Sequence, residues 1–290
     1  MLSAGTIIEG AFRLVRERPV AVAIWGMVYL ALNIATTLTM GPMFDPEALR
    51  TGFTSMMGMF LLIQLLALIM FVVLMTAAQR AILRPRDEGL AFMAFGMDEL
   101  RVLGVTVILA ILFYLLLIAL VLVLTLFTVA AAAALGGGGM VFSALLSMLI
   151  ALPLMMWLMV RLSLATPLTF LRRKIIIGES WRLTKGHFWS LFGGYLVVFL
   201  ILMVIAIVVG VVTTGSYFAT LLQSMGNPET TEAVMQEQLE AMRSVTPWTM
   251  FGWVLGSISG ALTVALGGGA VATAARELTG DYDAVAETFA

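Results

Sequence analysis

The chain has 290 residues, 61% apolar and 11% charged, with a mean hydropathy of +1.07. A soluble domain carries about 25% charged and roughly 45–50% apolar residues, so a water-soluble enzyme is excluded and an integral membrane protein is expected. A formal charge of −1 argues against a nucleic-acid binder, and the lack of cysteine removes disulfides, thiolate metal sites and cysteine catalysis.

Charges are costly at the centre of a bilayer, and a crossing takes about 20 apolar residues, so the uncharged gaps locate the spans. In chain order the long gaps are 19–44, 51–79, 102–160, 186–228 (with His187 neutral) and 244–275. The third is too long for one helix. It contains Gly136 to Gly139, four glycines with poor helix propensity that suit a tight reversal, and so it splits into two crossings. The fourth is read as one crossing, with Gly215 and the Gly226-Asn227-Pro228 turn ending it. The expected fold is therefore all-α: a polytopic six-helix transmembrane bundle forming one membrane domain over 1–290, with spans near 20–40, 54–78, 104–130, 140–160, 190–212 and 249–273. A secretory signal at the N-terminus is disfavoured. The first apolar run exceeds the roughly 7–15 residues of an h-region, and Thr36 to Met40 offers no small-x-small cleavage site.

Lysine and arginine set the orientation, because cytoplasmic loops retain them. Arg13, Arg16 and Arg18 precede the first span; Arg80, Arg84, Arg86 and Arg101 lie between the second and third. Arg161, Arg172, Arg173, Lys174, Arg182 and Lys185 lie between the fourth and fifth, and Arg276 follows the sixth. Only Arg50 and Arg243 fall on the other side, so both termini are expected in the cytoplasm. Trp157, Trp189, Trp248 and Trp253 stand near predicted span ends, where indoles favour the interface.

The spans group into three hairpins, each preceded by a short cytoplasmic segment expected to be an interfacial amphipathic helix. In the first, Ile7, Ile8, Ala11, Phe12 and Val15 share a face opposite Arg13 and Arg16, and Thr6 and Glu9 have capping-box spacing. The middle one has Leu90, Met93, Met97 and Leu100; the third has Ile177, Trp181, Thr184 and Phe188, with Gly186 as C-cap. The strings 7–14 and 176–183 align at a constant offset, which fits either a duplication or the shared composition of interfacial helices. On either account the arginines are expected to meet anionic lipid phosphates. On the outer side, Met235, Leu239 and Met242 form an apolar stripe in a short helix, to be read as a lid or as a packed loop.

Catalytic chemistry finds little support. One histidine without cysteine leaves only carboxylates as strong metal ligands, and no span contains two. Ser259 in Gly256-Ser-Ile-Ser-Gly260 has no base at its depth, since His187 stands at the mouth of the fifth span. His187 itself, beside Phe188 and Trp189, reads as a member of an interfacial belt before it reads as a pH sensor. Gly252, Gly256 and Gly260 instead form a small-xxx-small face for close approach of another helix of the bundle or of a second protomer. No span holds a buried charge of the kind ion-coupled transporters use; Asn33 and Gln64 are interhelical hydrogen-bond candidates, and Pro153 a kink.

The stretch Arg161-Leu-Ser-Leu-Ala-Thr-Pro167, followed by Ile177-Gly-Glu-Ser-Trp-Arg-Leu-Thr-Lys-Gly-His-Phe-Trp189, resembles the bacterial glycerophosphoryl diester phosphodiesterase membrane-domain family. Arg80 to Pro85 and Gly96 to Arg101 resemble stand-alone members. The resemblance implies a multi-pass bacterial inner-membrane protein linked to lipid or envelope metabolism. The enzymatic activity in the family's name does not carry over, because nothing in the chain is expected to fold as the soluble phosphodiesterase domain. Arginine outnumbers lysine 14 to 2, which fits a GC-rich bacterial genome.

The expected function is therefore a non-enzymatic, lipid-associated accessory, scaffold or lipid-handling role, with no metal and no cofactor. The expected partners are membrane lipids, anionic ones above all, with an envelope or lipid-metabolism protein beside them. The headgroup candidates are Arg13, Arg16, Arg172, Arg173, Lys174, Trp181, Arg182 and Lys185. The alternative is a transporter or channel for a small or amphipathic solute, which a polar-lined membrane cavity would favour.

Overall fold

The structure is a computed structural model that describes residues 2–41, 46–87, 89–224, 231, 233–234, 236–237, 240 and 244–288. The stripe Met235, Leu239 and Met242, and with it the lid reading, lies outside the described residues. No strand occurs among them. The helices are α1 (Ala4–Glu17), α2 (Pro19–Met40), α3 (Pro46–Leu83), α4 (Met97–Leu162), α5 (Ala165–Arg172), α6 (Gly178–Leu183), α7 (Phe188–Ser224) and α8 (Pro247–Thr288). Six stretches are long and apolar enough to cross a membrane: Pro19–Met40, Gly52–Leu83, Leu90–Gly139, Val141–Arg172, Phe188–Gly215 and Pro247–Gly280. The chain is an all-helical, multi-pass membrane protein.

Local signals explain several ends. Pro19 opens α2 at a position where a missing N–H costs nothing, and the Gly41 amide closes it on the Thr37 carbonyl. At the start of α4 the Gly96 amide donates to Glu99 Oε2 at 3.1 Å, and Asp98 and Glu99 put negative charge at the helix N-terminus. Unbroken, the 66 residues of α4 would extend about 100 Å, more than three times the ~30 Å hydrocarbon layer. Gly136, at φ 69° and ψ −156°, breaks it into two arms, and a Cβ at Gly139 would collide with the Ala131 carbonyl, so the glycine run is where the chain reverses. Gly136 is the one residue of α4 with non-helical backbone; the second arm runs through Pro153 with helical dihedrals.

The structure departs from the sequence expectations in five places. Helix α7 continues through Gly215 to Ser224, and α8 runs on past the expected end near 273 to Thr288. The hydroxyls of Thr213 and Thr214 donate back to Val209 and Gly210 and add local bonds across the glycine-containing turn. The middle amphipathic segment is not a helix: Leu90–Phe92 is a 3-10 turn, Met93 is extended, and α4 starts only at Met97. Ala91 and Phe92 there take positive φ of 50° and 61°. In the third segment Gly186, at φ 90°, separates Trp181 and Thr184 from Phe188, which begins α7. Finally, α1 spends much of its apolar face on protein. Ile7, Ala11 and Leu14 are buried, with Ile7 beside Gly194 and Ala11 against Gly269, while Phe12 is 44% exposed.

The chain divides into two compact, sequence-interleaved units, 1–4, 95–193 and 274–290 against 5–94 and 194–273. The second unit holds a core of Leu14, Trp25, Leu74, Phe92, Val264 and small alanines including Ala77, Ala78, Ala261 and Ala265. Glycines let its helices touch. A Cβ at Gly260 would fall 2.8 Å from the Tyr29 ring, one at Gly268 2.7 Å from the Ala78 Cβ, and one at Gly256 3.2 Å from Asn33 Nδ2. Gly252 lies nearest Thr213 of α7. Polar bonds fasten the same helices: Asn33 Nδ2 donates to the Trp253 carbonyl at 3.4 Å, and Trp253 Nε1 donates to Thr37 Oγ1 at 2.9 Å. Gln64, the other amide considered, is exposed.

Candidate functional site

In the first unit, the sequence-predicted cations sit on the segment from the end of α4 to the start of α7. Helix α5 buries Ala165, Leu168 and Phe170 and ends at Arg173, in the left-handed conformation with φ 54° and ψ 28°. Helix α6 then docks back on the end of α4, where buried Ser180 donates from Oγ to the Arg161 carbonyl at 2.8 Å. The Ile176 amide donates to Thr169 Oγ1 at 3.3 Å and holds the intervening turn. Arg173, Lys174, Trp181, Arg182 and Lys185 are all exposed. Arg172 pairs with Glu179 at 3.4 Å, so part of its charge is answered within the protein.

That docking assembles a cluster whose centre, Arg161, was expected only as one more loop cation. The Arg161 Cζ lies 5.5 Å from the Trp157 ring centroid and 5.6 Å from that of Trp181, and the two indoles meet edge to face with centroids 5.1 Å apart. Its Nε and Nη1 are buried without a hydrogen-bonding acceptor among the described residues. Two π faces stabilise the cation but leave its charge unneutralised. An oxyanion is the ligand this chemistry accepts. Trp157 and Arg161 stand four apart on one helix face, a signal present in the sequence; the approach of Trp181 depends on how α6 folds back.

In the second unit the N-terminal cations surround the junction of α1 and α2. Arg13 faces Glu17 at 4.0 Å, both largely exposed, a contact of small energetic weight. Arg16 is exposed and Arg18 half-buried, with its Cζ 5.2 Å from the centroid of the buried Phe92 ring. The Phe92 segment is clamped. Trp25 Nε1 donates to the Ala91 carbonyl at 3.0 Å, and the Arg80 guanidinium donates to the Phe92 carbonyl. Arg80 was expected in a solvated loop. It lies in the last turn of α3 and is 7% exposed, because α3 extends to Leu83 and carries it against this turn.

Among the described residues no group of three histidine, aspartate or glutamate side chains is placed to hold a metal ion. Ser257, in the serine-containing glycine face, is buried and donates from Oγ to the Val254 carbonyl at 2.7 Å, as a packed helical serine does. His187 is exposed. No family model, curated protein or solved structure matches the chain.

Proposed function

We propose that the protein is a non-enzymatic, lipid-associated component of a bacterial inner membrane, with both termini in the cytoplasm. Its role is that of an accessory or lipid-handling protein, and it works through contacts to anionic headgroups. The observation that carries this reading is the Arg161 cluster: a guanidinium against the rings of Trp157 and Trp181, short of acceptors, beside exposed Arg173, Lys174, Arg182 and Lys185. Each cation near an anionic leaflet contributes roughly 1 kcal/mol, and tryptophan favours the same interfacial depth. The resemblance of 161–189 to a membrane-domain family tied to lipid metabolism points the same way. Packing of α1 against protein and the pairing of Arg13 with Glu17 make the 161–185 segment the stronger headgroup surface, although Arg172 within it already faces Glu179.

Mass spectrometry of lipids that co-purify with the full chain tests the reading. Replacing Arg173, Arg182 and Lys185 with Gln is expected to reduce anionic phospholipid relative to zwitterionic lipid while insertion and yield hold. Unchanged lipid composition in that variant would make the segment a topological signal only. For orientation, a cysteine at the exposed Lys174 is the probe; labelling of Lys174→Cys by an impermeant external reagent would overturn the cytoplasmic assignment.

A further inference from the structure

Within the second unit, a groove of about 400 Å³ runs between α2 and α8, bordered by Val22, Gly26, Met27 and Leu30 on one side and Ile258 and Ala261 on the other. Small residues face each other here: a Cβ at Gly26 would stand 3.8 Å from that of Ala261, in ordinary van der Waals contact. Pro19 borders this groove and also a second recess of about 300 Å³, which Arg18, Glu17, Ala91 and Phe92 line. Apolar groove and charged recess thus meet at one residue.

From Pro19 to Leu30 the helix rises roughly 17 Å, close to the ~15 Å depth of one leaflet's hydrocarbon. The charged recess sits at the Pro19 end, where α2 begins. Its wall is held in place by two hydrogen bonds, Trp25 to Ala91 and Arg80 to Phe92, across a turn with two non-glycine residues at positive φ. Such backbone persists only where surroundings over-determine it, and it presents a preorganised wall to whatever enters.

We infer that this groove and recess form a binding site for one phospholipid, with an acyl chain along α2 and α8 and the phosphate diester at Arg18. Length selects the ligand: a chain one leaflet deep, headed by a charge at the interface, is the occupant whose apolar and polar parts fall in this order. Arg18 supplies the cation for the phosphate; Phe92 beneath its guanidinium sets the orientation, and Glu17 at the rim tolerates a headgroup that carries an ammonium. The inference rests on the lipid-associated reading. It uses different residues in a different unit, so the two fail separately.

The test uses the purified full chain, delipidated and then offered an equimolar mixture of dipalmitoyl phosphatidylglycerol and phosphatidylethanolamine, with native mass spectrometry as readout. The parent is expected to retain one phospholipid under activation that strips annular lipid. Met27→Trp, at a position 61% exposed and outside the core, is expected to fill the groove and lose that lipid without loss of fold. Arg18→Gln should weaken retention roughly tenfold, as loss of a charge-assisted contact of about 1.4 kcal/mol requires, with Arg18→Lys intermediate. Arg161→Lys should leave this lipid in place. A phospholipid with a mid-chain diazirine should crosslink within 22–30 and 258–262. Retention unchanged in both Met27→Trp and Arg18→Gln, crosslinks confined elsewhere, or a groove occupied by a second copy of the chain would each overturn the site. Loss of anionic lipid on mutating Arg173, Arg182 and Lys185, with this single lipid retained, would leave both readings standing.

Discussion

The last helix, α8, and the first arm of α4 are both long and apolar enough to cross a bilayer, yet their surroundings are opposite. In α8, 44% of the most apolar window is buried inside the protein; in the stretch Leu90–Gly139 the figure is 0%. The buried helix is the glycine- and alanine-rich one, and the exposed one is rich in leucine, valine and isoleucine. In water the order would be reversed. Lipid tails solvate leucine as well as another helix does, so hydrophobicity ceases to sort inside from outside, and backbone proximity takes over. Gly256, Gly260, Gly268 and Gly269 mark positions where α8 lies within van der Waals reach of Asn33, Tyr29, Ala78 and Ala11.

The largest expected effect probes the largest side chain in this core. Trp25 is fully buried and donates to the Ala91 carbonyl. Trp25→Ala is expected to destabilise the detergent-solubilised protein by about 3–5 kcal/mol, as large-to-small changes at packed aromatic sites do. Trp25→Phe isolates the hydrogen bond and should cost roughly 1 kcal/mol. Thermal unfolding followed by circular dichroism measures both. If the two variants melt together, the bond and not the packing holds the 89–93 turn.

Next comes a matched pair of glycines. Gly260→Leu drives a side chain into the Tyr29 ring and should cost about 1–3 kcal/mol, whereas Gly210→Leu, with no atom within 4 Å of the added Cβ, should stay near ±0.5 kcal/mol. Gly256→Leu should fall between, because the neighbour is the end of the Asn33 amide, which can turn aside. Equal melting temperatures for Gly260→Leu and Gly210→Leu would break the contrast, since the glycine face would then look onto lipid.

A smaller effect is expected at the Arg161 cluster. Arg161→Lys keeps the charge and loses the planar guanidinium, at a cost of roughly 0.5–2 kcal/mol for the cation–π contacts. Its readout is the fluorescence of Trp157 and Trp181 in a background where the other tryptophans are replaced by phenylalanine. An unchanged emission maximum would mean that the ring contacts do not constrain the indoles. The smallest effect is expected in the exposed arm of α4. Leu126, 71% exposed, should tolerate Ala within about 0.5 kcal/mol in a lipid nanodisc. A larger loss there would show that this arm packs against something in the membrane and that the comparison with α8 holds for the isolated chain alone.

Much of the architecture was legible because charge patterning is a local property. Four of the five long uncharged gaps could be read off as single crossings, and in the fifth four successive glycines were enough to place the reversal at Gly136. The ends were less legible. Gly215 looked like a stop, but a helix interior pays only about 1 kcal/mol for a glycine, and α7 runs on for two more turns. Arg80 looked like a loop cation because an arginine next to a span ordinarily reaches water. Here the Phe92 carbonyl lies within its reach, a partner 12 residues away that no periodicity announces.

The candidate sites divide the same way. Arg173, Lys174, Arg182 and Lys185 could be named from composition and position, since exposure is the default for a cation outside a span. Arg161 and Arg18 could not be told apart from them. Each gains its character from an aromatic ring on a distant segment, Trp181 for the one and Phe92 for the other. The sequence by itself determined that the chain is helical, how many times it can cross and where its cations concentrate, because these follow from the cost of burying charge and backbone in hydrocarbon. Only the tertiary structure decided which glycines became contacts, which arginines were held by indoles or carbonyls, and where a leaflet-deep groove opens. Those outcomes depend on which helix faces meet, and in a membrane the faces are nearly alike in hydrophobicity until small residues and a few polar bonds select among them.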